Sequence, residues 1–167
     1  MTRRSRDPGL ADRIGRLYDR HAAGLYRYAL MILADPAAAS DAVQQVFLAV
    51  LNREDDDLAS ADHYLRRAVR NECFSLLRQR RRGIVTAVEA PLLEAVAGAA
   101  DRPEERLALE RALRALPPDQ REVVHLKAFE GLTFQEIAAV TGESINTVAS
   151  RYRYAIGRMR ERLGARR

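Results

Sequence analysis

Residues 131–151 have the sequence GLTFQEIAAVTGESINTVASR, and this stretch decides the fold of the second half of the chain. Thr133 and Glu136 have the spacing of a capping box, which begins a helix. That helix is short, because residues 141–143 contain a glycine and predict a tight turn. Ser144 is then a good cap for a second, arginine-rich helix. A short helix, a tight turn and a second capped helix are typical of a helix-turn-helix.

The helix after the turn has an apolar side and a polar, basic side when its residues are placed 100° apart. The side expected to pack inward carries Ile145, Val148, Tyr152, Ile156, Met159 and Leu163. The other side and its flank carry Asn146, Thr147, Ser150, Arg151, Arg153, Tyr154 and Arg158. In a helix-turn-helix, the first residues of the second helix reach base edges in the major groove of DNA. We therefore predict base contacts from Asn146, Thr147, Ser150 and Arg151. Basic groups farther along hold phosphates, so we predict phosphate contacts from Arg153, Arg158 and Arg160.

Helical spacing of apolar residues recurs through the rest of the chain, and no segment has the alternation of a β-strand. The sequence predicts an all-α protein of two small helical domains joined by a flexible linker. Helices are expected in the first domain over residues 10–34, from Pro36 onward with Asp35 as its cap, and over 60–82. Two more are expected before the helix-turn-helix, over residues 103–116 and 119–129. The predicted organisation is a disordered tail at 1–9, a domain at 10–82, a linker at 83–102 with one short turn near 92–96, and a domain at 103–167.

The third helix is a second concentration of positive charge. Residues 65–82 contain seven arginines and one acid, Glu72. Leu65, Val69, Cys73 and Leu76 are expected to face the core. Phe74 falls on the opposite side of the helical wheel, near Arg67, Arg70, Asn71 and Arg78. Single-stranded bases stack on an aromatic ring placed among arginines, whereas docking of Phe74 against the linker or the second domain is the plainer alternative.

Composition narrows the class of protein further. The 167 residues carry a net charge of +5 and a pI of about 9.9, which favours an acidic partner such as nucleic acid. The single cysteine, Cys73, fits a reducing cytoplasm and is expected to be inert packing. No stretch predicts a metal site, a cofactor, a small-molecule substrate or a catalytic pair, so we expect no enzyme activity.

Motifs along both halves resemble those of bacterial RNA polymerase sigma factors of the extracytoplasmic-function (ECF, group IV) type. The resemblance to the sigma-2 domain rests on LYRYA at 25–29, DAVQQVFL at 41–48, and YL at 64–65 followed by RN at 70–71. The resemblance to the sigma-4 domain rests on ALPP at 115–118, QREV at 120–123, EGLTFQEIA at 130–138 and NTVASR at 146–151.

This resemblance implies three functional surfaces. The last helix would read the −35 promoter element as duplex DNA. The third helix and the loop before it would hold the melted −10 element, through Tyr64, Arg66, Arg67, Arg70, Asn71, Phe74 and Arg78. Core RNA polymerase would bind the first two helices, through Asp41, Gln44, Gln45 and Phe47. The implied partners are core RNA polymerase, promoter DNA and an anti-sigma factor.

Two other functions remain open from the sequence. A stand-alone helix-turn-helix regulator, with the first domain as a sensing or dimerisation module, would bind duplex DNA tightly without polymerase. An adaptor that binds polymerase or a sigma factor without touching DNA would leave the basic last helix without a role.

Overall fold

The computed structural model describes residues 8–51, 61–83, 92, 95, 96, 98 and 101–164. In these residues the chain is all-α, as predicted, with α-helices, one π-helical turn and no strand. The helices are α1 (Pro8–Leu33), α2 (Pro36–Leu51), α3 (Ala61–Arg81), α4 (Pro103–Arg114), α5 (Pro118–Val124), the π-helical turn (His125–Phe129), α6 (Phe134–Thr141) and α7 (Ile145–Gly164). The loop before α3 and most of the predicted tail lie outside the described residues.

The first domain consists of α1, α2 and α3, each packed on the other two. A sharp corner joins α1 to α2: Ala34 has a positive φ of 52°, and the Asp35 carboxylate accepts a hydrogen bond of 3.0 Å from the Ala38 amide. Pro36 takes the first helical position, as predicted. Arg80 on α3 donates to Asp35 at 2.5 Å, so the corner is also tied to the third helix.

The core of the first domain is built from the apolar sides of its helices. Leu30, Phe47 and Val69 are buried, and Cys73 is fully buried. Burial raises the pKa of the Cys73 thiol, which keeps it protonated and unreactive. The prediction that Cys73 packs in the core is confirmed.

The second domain consists of α4 to α7, with α7 packed against α4, α5 and α6. The predicted helix over 119–129 is observed as α5 followed by the π-helical turn, in which the Glu130 amide donates to the His125 carbonyl at 3.1 Å. Gly131, at a φ of 72°, then ends the segment and lets the Leu132 amide bond back to the Leu126 carbonyl at 3.0 Å.

The two domains pack against each other in this structure, α1 against α5 and α3 against α6. Part of the connecting segment is also held in place. Leu92, Ala95 and Val96 are buried, and the Leu92 amide donates to the Glu110 carboxylate at 3.1 Å. The Ala95 amide bonds to the Leu92 carbonyl at 2.9 Å, which places a turn where the sequence predicted one. None of the helices in the described ranges is long and apolar enough to cross a membrane.

Candidate nucleic-acid interface

The helix-turn-helix is built by the local signals seen in the sequence. Glu136 accepts from the Thr133 amide at 2.7 Å, and Thr133 Oγ1 accepts from the Glu136 amide at 3.2 Å, which completes the capping box of α6. The Thr133 amide and the Thr133 hydroxyl both donate to the Glu136 carboxylate, and these two hydrogen bonds lower the pKa of that carboxyl. Gly142 ends α6 at a φ of 72°, where an L side chain would be strained. Ser144 Oγ accepts from the Thr147 amide at 3.1 Å and so caps α7.

One side of α7 is open to a ligand over most of its length. Asn146, Arg153 and Arg158 are exposed, and Tyr154 is 61% exposed. Thr147 and Ser150 are half-buried at the base of this side, where Thr147 Oγ1 lies 2.9 Å from Ser144 Oγ. The side therefore presents one amide, two hydroxyls and two guanidinium groups in the order that groove binding needs.

Arg151 differs from the prediction that it is available for a base contact. Its guanidinium lies 3.0 Å from the Glu143 carboxylate and 3.3 Å from the Asp119 carboxylate, and the side chain is 24% exposed. The physical reason is that the turn and the start of α5 bring two acids to the same end of α7. In this structure Arg151 ties the turn to α5, and a base contact would need it to leave these acids.

The apolar side of α7 is shorter than the helical wheel predicted. Val148 and Met159 are buried, and Ala155 is fully buried between them. Ile145 is 49% exposed and Leu163 is 41% exposed, because the helix ends extend past the elements on which α7 packs. The prediction that these two side chains face the core was wrong.

The face of α3 carries four of the predicted −10 contacts in an open position. Arg67, Asn71 and Arg78 are exposed, and Tyr64 is 40% exposed. Phe74, for which base stacking and docking within the protein were both open from the sequence, is half-buried against core residues. The Arg70 guanidinium lies 4.6 Å from the centre of the Phe74 ring and covers it.

Arg66 and Arg70 were predicted as DNA contacts, but here both are bound to acids of the second domain. Arg66 forms an ion pair with Glu130. Arg70 donates from Nε and Nη2 to the two carboxylate oxygens of Glu122, at 2.7 and 3.2 Å. The reason is the packing of α5 on α1, which brings acids that are distant in sequence onto α3.

Glu122 is fully buried, and Tyr28 is a hydrogen-bond donor to it in addition to Arg70. Tyr28 Oη donates to Glu122 Oε1 at 2.6 Å. Burial raises the pKa of the Glu122 carboxyl, while the Arg70 charge and hydrogen bond oppose that effect. Burial, together with the Glu122 charge, raises the pKa of Tyr28 well above its usual range, so its hydroxyl stays a donor. Burial disfavours the Arg70 charge, but Glu122 outweighs burial and raises the Arg70 pKa.

The predicted polymerase contacts divide into exposed and buried residues. Asp41, Gln44 and Gln45 are exposed on α2. Phe47 is only 4% exposed, and its ring packs edge-on against Tyr18 at 5.0 Å between centres. The prediction that Phe47 is a surface contact was wrong. Its position on α2 faces α1, so the side chain packs beneath the exposed residues and supports them.

Sequence reasoning missed the apolar groups that surround those polar residues. Leu48 is 51% exposed, Leu51 is 39% exposed and Tyr18 is 44% exposed. With Asp41, Gln44 and Gln45 they form what we call the α1–α2 surface. Leu48 and Leu51 are three positions apart in an apolar helix, so periodicity alone could not separate them from the core residues beside them.

Each of the two domains matches a known protein family. Residues 17–83 match the family described as Sigma-70 region 2, and residues 106–159 match the family described as Sigma-70, region 4. The chain has a similar fold to CnrH, solved in complex with the cytosolic domain of CnrY, with a TM-score of 0.65 and 26% identity over 92% of this chain and 89% of that one. It also shares its fold with the sigma factor RpoE of Bartonella quintana, solved with the anti-sigma factor NepR, at a TM-score of 0.68 and 23% identity over 92% of this chain and 98% of that one.

Curated relatives match over most of their length. The RNA polymerase sigma-E factor of Streptomyces coelicolor is 33% identical over 144 residues, which cover 85% of this chain and 81% of the relative. The ECF RNA polymerase sigma factor SigL of Mycobacterium tuberculosis is 32% identical over 154 residues, covering 86% and 85%. With both domain families matched in order and relatives of this identity along the chain, the protein belongs to the ECF RNA polymerase sigma factors.

Proposed function

We propose that this sigma factor directs core RNA polymerase to promoters by reading the −35 element with α7. The observation that carries the proposal is the exposed polar and basic side of α7, placed by a capped helix and a glycine turn. Asn146, Thr147 and Ser150 supply hydrogen-bonding groups at the end of the helix that enters a groove. Arg153 and Arg158 supply phosphate contacts that fix the position of the helix on duplex DNA.

The −10 element, once melted, is the proposed ligand of α3. Arg67, Asn71 and Arg78 form an exposed basic face, and Tyr64 offers an aromatic ring at its start. A single strand is bound by such a combination of phosphate contacts and base stacking. Phe74, Arg66 and Arg70 belong to the same proposed site but become available only when their present contacts are released.

Core RNA polymerase is the proposed partner of the α1–α2 surface. Three half-exposed apolar side chains surround exposed polar groups there, and such a mixture is typical of protein–protein interfaces. Leu48, at the outer edge of α2, is the most exposed of the apolar three. We propose that Leu48, with Gln44 and Gln45, makes the polymerase contact that the sequence predicted for Phe47.

An anti-sigma factor is a further proposed partner. Two proteins of this fold were solved with a partner: the Bartonella RpoE with the anti-sigma factor NepR, and CnrH with the cytosolic domain of CnrY. We place the protein in the cytoplasm, since its proposed partners are polymerase and chromosomal DNA. We propose that the protein acts by binding polymerase and promoter DNA, without catalysis of its own.

The test is reconstituted transcription with purified core RNA polymerase on a library of genomic fragments. We expect transcripts whose start sites share a −35 and a −10 sequence, and loss of all of them when Leu48→Asp removes polymerase binding. Glu104→Gln, at an exposed position in the first turn of α4, is the matched control. Duplex binding at nanomolar concentration without polymerase, and no promoter-dependent transcript with it, would instead indicate a stand-alone regulator.

A further inference from the structure

A cavity lies where α1, α3 and the π-helical turn meet. Its volume is about 620 Å³, within the range of roughly 300–1,000 Å³ that small-molecule sites occupy. Its wall includes Arg20 and Arg27 of α1, Arg66 of α3, and His125 and Phe129 of the turn. Among the described lining residues, Arg66 is the only one that was also predicted to contact DNA or polymerase. The cavity is therefore largely separate from the surfaces assigned above.

The rim of the cavity on α1 carries two arginines that have no acidic partner among the described residues. Arg20 and Arg27 are both exposed. They are seven positions apart, which places them on the same side of the helix and about 10 Å apart along its axis. Guanidinium groups bind phosphate oxygens through parallel N–H donors. The rim is therefore suited to an anion that carries more than one phosphate group.

The two acids in the wall of the cavity already have basic partners. Glu130 forms an ion pair with Arg66, and its carboxylate lies 2.9 Å from His125 Nε2. The Asp62 carboxylate lies 3.6 Å from Arg66 Nη2 and 3.4 Å from His21 Nδ1. Because both carboxylates are paired in this way, they leave the charge of the two rim arginines largely uncompensated.

Three stacked rings lead to the wall of the cavity. The His125 ring lies between Tyr28, at 5.8 Å between centres, and Phe129, at 5.7 Å, with interplanar angles of 22° and 19°. Tyr28 is fully buried at one end of the row, whereas Phe129 is half-buried at the other. Aromatic side chains stack on nucleobases of any sequence. A flat heteroaromatic ring in the cavity would extend this row beyond Phe129.

One ring nitrogen in this wall has no partner. His125 is 3% exposed, and its Nδ1 is buried without a hydrogen bond to any described residue. Burial disfavours the Glu130 carboxylate, but His125 and Arg66 outweigh burial and lower its pKa, so Glu130 accepts and His125 Nε2 carries the proton. In the neutral ring Nδ1 is then an acceptor. Since buried polar atoms are nearly always paired, this nitrogen favours a ligand with N–H donors, such as a nucleobase.

We propose that this cavity binds a nucleoside polyphosphate, with the phosphates at Arg20 and Arg27 and the base packed against Phe129 beside His125. The nucleotide is a ligand and not a substrate. A strand of nucleic acid offers the same two chemical groups, phosphate and base. The rims of strand-binding sites are open grooves that follow the backbone, whereas this site is a cavity of nucleotide size that ends on a buried ring, which favours a single nucleotide.

The test is isothermal titration calorimetry of the full-length protein. The probes are ATP and GTP, with adenosine, guanosine and inorganic tripolyphosphate for comparison. We expect saturable binding of at least one nucleoside triphosphate, about tenfold or more tighter than binding of the nucleoside or of tripolyphosphate. The reason is that only the intact nucleotide uses both the arginines of the rim and the row of rings.

Arg20→Gln and Arg27→Gln change exposed side chains and so leave the fold intact. Each should weaken nucleotide binding by about tenfold, because each removes a charge-assisted contact to phosphate. Phe129→Leu should weaken binding of the nucleotide and leave that of tripolyphosphate unchanged, with thermal denaturation showing that the variant is folded. Arg111→Gln, at an exposed position on α4, makes the same change of charge away from the cavity and should match the parent.

Three results would overturn the proposal. The first is no detectable binding of either ATP or GTP. The second is binding that Arg111→Gln weakens as much as Arg20→Gln and Arg27→Gln do, since it would then depend only on net charge. The third is tighter binding of a single-stranded oligonucleotide of about 12 nucleotides that loses as much affinity in Arg20→Gln, which would assign the rim to a nucleic-acid surface.

Discussion

The helices α3 and α7 are similarly rich in arginine, but the structure uses the two sets of charges differently. Arg153 and Arg158 on α7 are exposed, and the one arginine of its polar side that is paired, Arg151, bonds to acids of its own domain. On α3, Arg66 and Arg70 bond to acids of the other domain. The face of α7 is set by its own domain, whereas the face of α3 depends on how the domains are arranged.

This difference shows that the number of arginines in a helix does not give its capacity to bind DNA. What matters is which carboxylates the fold brings near them, since an arginine already paired in a buried site has to exchange one partner for another. The polar side of α7 proposed for the −35 element is therefore largely exposed in this structure, whereas two of the arginines proposed for the −10 element are paired with acids. The predictions below test this contrast.

The largest effect is expected where the contact between domains is removed by truncation. Glu122→Ala leaves the guanidinium of Arg70 in a mostly buried site without its partner, which costs about 3–5 kcal/mol. Arg153→Ala on the exposed side of α7 should change stability by less than about 0.5 kcal/mol. Both are measured by chemical denaturation. Equal, small losses in the two variants would remove the contrast between the two helices.

A smaller effect is expected for base recognition by α7. Asn146→Ala should cost about 1–3 kcal/mol in binding of polymerase holoenzyme to its own −35 sequence and little with a mismatched one. The reason is that its exposed amide can make two hydrogen bonds to one base. Competition binding with duplexes altered one base pair at a time measures this. Equal weakening on every duplex would assign Asn146 to the phosphates instead.

Arg151 and Arg153 lie two positions apart on α7. Comparison of their alanine variants distinguishes a residue that holds the turn in position from one that contacts phosphate. Arg151→Ala should lower stability by about 1 kcal/mol, because it breaks two partly exposed ion pairs across the turn. Arg153→Ala should leave stability unchanged and reduce the slope of log affinity against log salt by about 1. If Arg151→Ala changed only discrimination between bases, Arg151 would be a base contact after all.

The smallest effect concerns the capping box of α6. The hydrogen bonds from Thr133 lower the pKa of Glu136, so its ionised form stabilises the fold. This contribution is complete above the unfolded carboxyl pKa of about 4.3 and is lost as the pH falls toward the lower folded value. The melting temperatures of wild type and Glu136→Gln should therefore differ at neutral pH and converge in acid. The Glu104→Gln control should show no such convergence.

The helix ends could be predicted from the sequence because their signals are local. Asp35 with Pro36, Thr133 with Glu136, Gly142 and Ser144 each act over four residues or fewer, and all four appear in the structure as expected. The order of helices and the exposed side of α7 followed from the same short-range patterns. The family resemblance agreed with them.

The contact between domains could not be predicted in this way. Tyr28 and Glu122 are 94 positions apart, and Arg70 and Glu122 are 52 apart, so no periodicity relates them. One feature of the sequence could have indicated that Glu122 is buried: it is a charged residue directly before the apolar pair Val123 and Val124. Phe47 was misplaced, and Phe74 left open, for a related reason: a helical wheel gives the side of a helix but not which neighbour covers it.

The π-helical turn at His125–Phe129 sets the direction in which the chain enters the DNA-binding helices. A turn of this kind holds one residue more than an α-helical turn, and one residue corresponds to about 100° of rotation around the helix axis. Loss or gain of a single residue there, for example at exposed Ala128, would change the helical phase at the point where the chain leaves this segment at Gly131. Helix α6, which packs on α3 and carries α7 with it, would then be placed differently against α3, although the residues of the hydrophobic core were unchanged.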